Sequence, residues 1–372
     1  MSGRVLSLVV LACALHGSPR AQEAQVDEAQ DVDRERREAA FAAAERGLDW
    51  LAAQQGPHGE FQGDVGNKRM DAYLVVRSVE QNRARGEGHV GLTAIAGMAF
   101  LAGGNLPDRG RHGELVRAVI EYLIAHTGEA GYVTDGGTNM YSHAFATLFL
   151  AEAYGMVAEP KLRDALDRAV RMIVDCQNRQ GGWRYTPFTP EADMSVTVCQ
   201  LQALRAARNI GIQVNKRTID DALAYVMRAR IQRGPEAGLY HYKTAGAGAW
   251  EKSHEYAINA AALTALTSAG VTDDALHAPT LDWLDRAYGE ISDYYATHYY
   301  FWYGNYYACQ AFFQAGGTRW DRWVRRIQGD LVARQALDGR WTNDVGPGDV
   351  FATAVAALIL QIDKQYLPIF QR

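Results

Sequence analysis

The sequence is short of cysteine, with four in 372 residues. Cys13 lies in the apolar N-terminal segment, and the remainder (Cys176, Cys199 and Cys309) are odd in number. Two of these fall inside apolar helical patterns, which excludes a disulfide framework and marks the thiols as small buried hydrophobes. Charge of one sign is lacking too. Lys+Arg is 38 against Asp+Glu 43, a formal net charge of -5, so the basic excess of a general nucleic-acid binder is absent. Beyond the N-terminus no apolar run reaches the ~18 residues that a membrane-spanning helix needs. Hydrophobic residues at 48% and charged residues at 22% exclude a disordered or collagen-like chain. The length suits one large single-core unit or two ordinary domains.

The N-terminus gives an address. Arg4, an apolar run over 5–15 and then small and polar residues have the layout of a secretory signal peptide. Cleavage is expected near Ala21, making residues 1–21 the signal and 22–33 a flexible linker to a single domain over 34–372. The protein is then periplasmic or extracellular. Leu11-Ala12-Cys13 is a weak lipobox, and a lipid anchor at Cys13 is the alternative.

An internal repeat dominates the rest. Arg46, Gln55, Gly59 and Phe61 share their spacing with Arg168, Gln177, Gly181 and Trp183, and with Arg326, Gln335, Gly339 and Trp341. Degraded copies run from Arg117 to Gly131-Tyr132 and from Asp221 to Gly238-Leu239-Tyr240. Each turn is followed by a stretch rich in Ala, Gly and Leu, at 91–104, 141–157, 194–212, 256–270, 301–316 and 350–362. The stretches upstream are amphipathic at helical period, as over 163–176. Small-residue helices that are apolar nearly all round suit an inner ring, and amphipathic ones an outer ring. The expected fold is therefore all-α, an (α/α)6 toroid of six helix hairpins. An open solenoid is the alternative, disfavoured because the terminal repeats lack polar caps.

These turns resemble those of the prenyltransferase and squalene-oxidase repeat family, in which they carry a QW-type motif. Gln177-Asn-Arg-Gln-Gly181-Gly-Trp183 and Gln335-Ala-Leu-Asp-Gly339-Arg-Trp341 match most closely, and the resemblance covers most of residues 40–363. It implies a terpenoid-cyclase-like barrel, in which the motif Gln and ring brace adjacent helix ends. Phe61, Trp183 and Trp341 are then structural. The family spans terpene cyclases, protein prenyltransferase subunits and exported proteins, so it is specific for fold and loose for activity.

Aligning the inner helices on a small or Thr residue places one polar group four residues earlier in each. The alignment pairs His89 with Thr93, His143 with Thr147, Asp193 with Thr197, Glu255 with Asn259 and Asp349 with Thr353, and best fits Tyr300 to Gly304. If the rings close, these side chains meet at one mouth, together with the positive ends of six helices. Asp at a helix start is also an ordinary cap; His and Glu are not preferred there.

Three chemistries compete for that mouth. The resemblance implies a terpene-cyclase acid, with Asp193 in the middle position and Glu191 two residues earlier, although Met194 stands where the family has a further Asp. Two close carboxylates can share a proton, whereas a helix N-terminus favours ionisation. His143 joins this catalytic set. Nine aromatics within 294–307 include Tyr299, Tyr300, Trp302 and Tyr303, which suit a carbocation or a sugar ring, and buried Tyr hydroxyls want partners. His89, Glu255 and Asp349 complete the expected ligand-binding rim. A prenyltransferase-type zinc site lacks its thiolate, because Ser195 stands there; His89 and His143 with Asp193 or Glu255 are the alternative zinc set, and the leading expectation is neither metal nor cofactor. Loops at 62–88, 185–190 and 242–250 are expected at the mouth, the first as a lid. The leading expectation is an isoprenoid or other apolar ligand with cyclase-like acid chemistry at Asp193. The alternatives are a glycan hydrolase or lyase, drawing on acids or a Tyr/His pair, and a noncatalytic binding or scaffold toroid.

Overall fold

The six hairpins form, and their inner helices close into a ring. A computed structural model describes residues 19–69, 72–244, 255–298 and 300–371. The chain starts with α1 (Pro19–Ala52), a hairpin of β1 (Val65–Arg69) and β2 (Ala72–Arg77), and the short α2 (Val79–Arg85). Then follow α3 (Val90–Ala102), α4 (Gly113–Ala125), α5 (Met140–Met156), α6 (Pro160–Asp175) and α7 (Met194–Asn209). The rest comprises α8 (Lys216–Arg228), α9 (Tyr256–Ser268), α10 (Asp274–Ser292), α11 (Tyr300–Ala315), α12 (Gly317–Arg334) and α13 (Asp349–Gln361).

Helices α3, α5, α7, α9, α11 and α13 are the inner ring; each packs on the next, and α13 returns to α3. The Gln361 amide of α13 donates to the Ala99 carbonyl of α3 over 3.2 Å across that closure. Every residue of α3 is buried, as its all-round apolar sequence requires. The outer helix α6 instead buries Leu162, Ala165, Leu166, Ala169, Val170, Met172 and Ile173. That stripe recurs every three to four residues, leaving the charged face in water. Pro160 opens α6 at a position where its missing N–H costs nothing.

The repeated residues build the turns between rings. The Gln177 amide donates 2.9 Å bonds to the Gly181 carbonyl of its own turn and to the Thr218 carbonyl of the next outer helix, α8. Gln55 does the same toward Gly59 and Leu115, and Gln335 toward Gly339 and Ala43, so the last turn grips the first helix. Gly181 has φ +87 and Gly339 φ +96. A Cβ there would also meet the Asp221 and Arg46 carbonyl oxygens at 2.3 and 2.5 Å, so both conformation and space demand glycine.

Residues 1–18, most of the expected signal segment and the lipobox with it, lie outside the described residues. The stretch 22–33, expected as a linker, lies within α1; no turn residue interrupts its helical run. The tail folds back as expected. Leu367 and Phe370 are buried, and the Ile369 N–H reaches the buried Glu152 carboxylate at 3.4 Å. No described helix is long and apolar enough to cross a membrane.

Candidate functional site

The N-terminal ends of the inner helices surround a cavity of about 140 Å³. Its polar groups include Asn67, His89, Asn139, Ser195 and Glu255, and its rings include Tyr73, Tyr141, Phe145, Tyr185, Tyr242, Tyr300, Tyr303 and Phe351. The hairpin of β1 and β2 contributes Val65, Gly66, Asn67 and Tyr73 to one wall. The segment expected as a lid thus supplies lining, held to α5 by the Asn139 amide donating 3.1 Å to Asn67.

Asp193 sits behind this wall, fully buried as the N-cap of α7. Its Oδ1 accepts the Val196 N–H at 2.9 Å and the Ser195 hydroxyl at 2.7 Å. Its Oδ2 is 3.4 Å from the Arg184 guanidinium. Burial pushes its pKa above the ordinary carboxylate value against the pull of those three partners and of the Tyr242 hydroxyl. The Tyr141 hydroxyl donates to Ser195 Oγ, and Tyr185 and Tyr242 share a 2.8 Å hydroxyl contact nearby.

His89 caps α3 through Nδ1, which accepts the Leu92 N–H at 3.2 Å, and it also lines the cavity. Acceptance at Nδ1 leaves the proton of the neutral ring on Nε2. Burial lowers its pKa to about 4. Glu255 borders the cavity as the N-cap of α9. Tyr300 and Tyr303 line it, the Tyr303 hydroxyl donating to the Ser195 carbonyl at 3.0 Å. Tyr299 lies outside the described residues.

Four expected site residues sit elsewhere. His143 is the clearest correction: its ring is fully buried, and Nδ1 accepts the Val133 N–H at 3.1 Å. That is the bracing bond that the Phe61, Trp183 and Trp341 N–H groups make to Thr93, Thr197 and Thr353, and that Tyr240 makes to Asn259. His143 therefore holds the aligned position itself. The matching mouth residue one turn earlier is Asn139, which caps α5 and lines the cavity. A His filling a Thr role shifted the sequence alignment by one helical turn.

Glu191 is half-exposed, 3.3 Å from Lys243 and 4.0 Å from Arg184, and is not in the lining. Asn178 and Gln180 hold the loop by the carbonyls of Thr189, Pro190 and Glu191, and the Glu191 carboxylate lies beside the two cations rather than in the cavity. Asp349 accepts the Asn343 N–H at 2.9 Å and pairs with Arg340 at 3.1 Å, also away from the lining. Trp302 is fully buried against Tyr295 and Phe301, because its place on α11 faces the core.

Asn139, Tyr141 and Ser195 carry no site role in the sequence reading, whereas Tyr73, Tyr185 and Tyr242 lie in the loops 62–88, 185–190 and 242–250 expected at the mouth. A signal existed for Asn139, four residues ahead of His143. For Ser195 the only hint was its place two residues after Asp193, and Tyr141 carried none. Among the described residues no group of three His, Cys, Asp or Glu side chains is placed to hold a metal ion.

Neither a family model nor a curated protein matches the chain. Solved structures do. The cellobiose 2-epimerase from Spirochaeta thermophila superposes with a TM-score of 0.62 at 15% identity, covering 90% of this chain and 98% of that one. The GH76A α-1,6-mannanase of a Salegentibacter species gives 0.60 at 10% identity over 88% and 99%. A type II terpene cyclase from Scytonema gives 0.56 at 13% identity over 89% and 99%. With the closed ring, these likenesses establish an (α/α)6 toroid. They are likenesses of fold, and fold does not choose among the chemistries it hosts.

Proposed function

We propose that this toroid takes an isoprenoid or similar apolar, alkene-bearing molecule into the tyrosine-lined cavity, with Asp193 as the source of a proton. The observation that carries this reading is a buried carboxyl, raised in pKa, hydrogen-bonded to a serine of the cavity wall. Leu92, Ile95, Phe145, Ile258 and Phe351 give an apolar bed, and the tyrosine faces suit a developing cation. The resemblance of the repeated turns to the squalene-cyclase group supports the same chemistry. So does the likeness to a terpene cyclase seen with geranylgeranyl dihydroxybenzoate. The N-terminal sequence supports export of the protein, as a free form or anchored at Cys13.

A glycan reading has its own support. Asn67, His89, Thr138 and Asn139 form a polar edge to the cavity, and the similar mannanase has been seen with α-1,6-mannotriose. Hydrolysis of that kind ordinarily needs two carboxyls flanking one bond, and Glu255 is the one carboxylate among the described lining residues. The two readings separate by incubating the protein with squalene and with α-1,6-mannotriose and analysing products. Conversion or saturable binding of squalene alone is expected; conversion of mannotriose alone overturns the apolar reading. Sequencing the N-terminus of protein recovered from outside the cytoplasm tests the address, with a start near residue 22 expected.

A further inference from the structure

Asp193 itself does not reach the cavity, since it is fully buried and the lining passes in front of it. Two hydroxyls bridge the gap. Ser195 Oγ lies 2.7 Å from Asp193 Oδ1, and Tyr141, from the neighbouring inner helix, is hydrogen-bonded to that same Oγ. Both Ser195 and Tyr141 border the cavity. We infer that Tyr141 is the group that hands the proton to the ligand, resupplied through Ser195 from Asp193. This rests on the proposed acid role of Asp193.

The oxygens already stand where such a relay needs them. With Asp193 ionised, Tyr141 donates to Ser195 and Ser195 donates to Asp193. With Asp193 protonated, both hydroxyls rotate and the same line runs outward, because each is donor and acceptor at once. In the working step the Tyr141 O–H bond breaks and its hydrogen forms a C–H bond at the alkene, leaving a carbocation. Tyr141 regains a proton from Ser195, and Ser195 from Asp193, which is left as a carboxylate facing Arg184 at 3.4 Å. Loss of a proton from the cation, returned along the line, restores Asp193 and balances the cycle. Concerted transfer avoids a free tyrosinate, which burial at Tyr141 strongly disfavours.

The geometry favours Tyr141 over its neighbours. Tyr303 spends its hydroxyl on the Ser195 carbonyl, which carries no mobile proton. Tyr242 also reaches the Asp193–Ser195 pair, but its hydroxyl is shared with Tyr185 at 2.8 Å. Tyr141 sits on α5 beside Phe145 and edge-on to Tyr303, at 6.2 Å between ring centroids, among the aromatic lining.

The test reads the relay without requiring a substrate. Infrared spectra of the full protein at pH 6, differenced against Asp193→Asn, isolate the protonated carboxyl band, and transfer into D2O times its exchange. In Tyr141→Phe and in Ser195→Ala exchange is expected to slow by about ten-fold or more, while Tyr242→Phe stays within about three-fold of wild type. Looser packing alone would speed exchange, so a merely structural role gives the opposite sign. Unchanged exchange in both Tyr141→Phe and Ser195→Ala, or slowing in Tyr242→Phe alone, overturns the relay and leaves Asp193 as the acid. A missing carboxyl band overturns the acid reading, and the relay with it.

Discussion

Trp183 and Trp341 hold the same post, each donating its indole N–H over 2.8 Å to the carbonyl ten residues upstream. Each also donates its backbone N–H to a threonine of the next inner helix, Thr197 or Thr353. Four residues ahead of those threonines stand Asp193 and Asp349, equal in sequence and unlike in circumstance. Asp193 is sealed in and tied to a cavity serine, whereas Asp349 keeps 35% of its side chain exposed and pairs with Arg340. The repeat therefore fixes the brace, and the neighbours across the ring decide what becomes of the carboxylate. Tyr141 and Ser195 close over the first, whereas the second stays open to solvent beside Arg340.

The most damaging substitutions should treat the two repeats alike. Trp183→Ala and Trp341→Ala are each expected to cost about 3–5 kcal/mol in urea unfolding, and a difference as large as the effect itself would break the equivalence of the braces.

The carboxylates should then separate them. With squalene as substrate, Asp193→Asn is expected to lower kcat by about 100-fold or more, with KM little changed. Asp349→Asn should leave both constants near wild type, as exposed ion pairs contribute little. Equal losses in the two variants would mean that burial had not set their roles apart.

A third test concerns repeat two, where His143 replaces the usual threonine. Burial lowers its pKa to about 3, below the ordinary value of 6.5 that the unfolded chain retains. The unfolded state therefore binds the proton first. Its contribution to stability is whole above pH ~6.5 and declines as pH falls toward ~3. His143→Asn installs the bracing residue of repeat four. It should remove about 2 kcal/mol of the loss seen between pH 7 and pH 5, leaving the shares due to His89, His112, His241 and His277, whose pKa values burial also lowers. Chemical denaturation at the two pH values checks this.

The smallest effect belongs to the motif glutamines. Gln177→Ala is expected to cost about 1 kcal/mol. Gln335→Ala should cost slightly more, because Gln335 also accepts the Arg46 guanidinium at 3.0 Å. Thermal unfolding of the pair would show whether the turn that joins the chain ends contributes more stability than a turn within the ring.

Most of the fold was legible in the sequence because its signals are local. The expected start of α7, Met194, and of α9, Tyr256, agree with the structure, and the other inner helices begin within one residue of expectation. A helix reports itself by apolar spacing, and these turns by glycine and an aromatic ring. The site was legible only in part. His89, Glu255, Tyr300 and Tyr303 were picked out as rim residues and border the cavity, but Glu191, Asp349 and Trp302 shared their sequence credentials and do not. Which way a side chain faces depends on the loop before it and on the helix opposite, and neither is encoded in the spacing.

Amphipathic stripes, small-residue helices and repeated turns in the sequence alone determined that hairpins would form and stack, because each of these forces acts within a few residues or between successive repeats. Only the tertiary structure decided that Tyr141 of α5 meets Ser195 of α7 in front of Asp193. The closed ring brings residues 54 positions apart into hydrogen-bonding range, and exclusion of water there, a property of the whole enclosure, changes what the carboxyl can do.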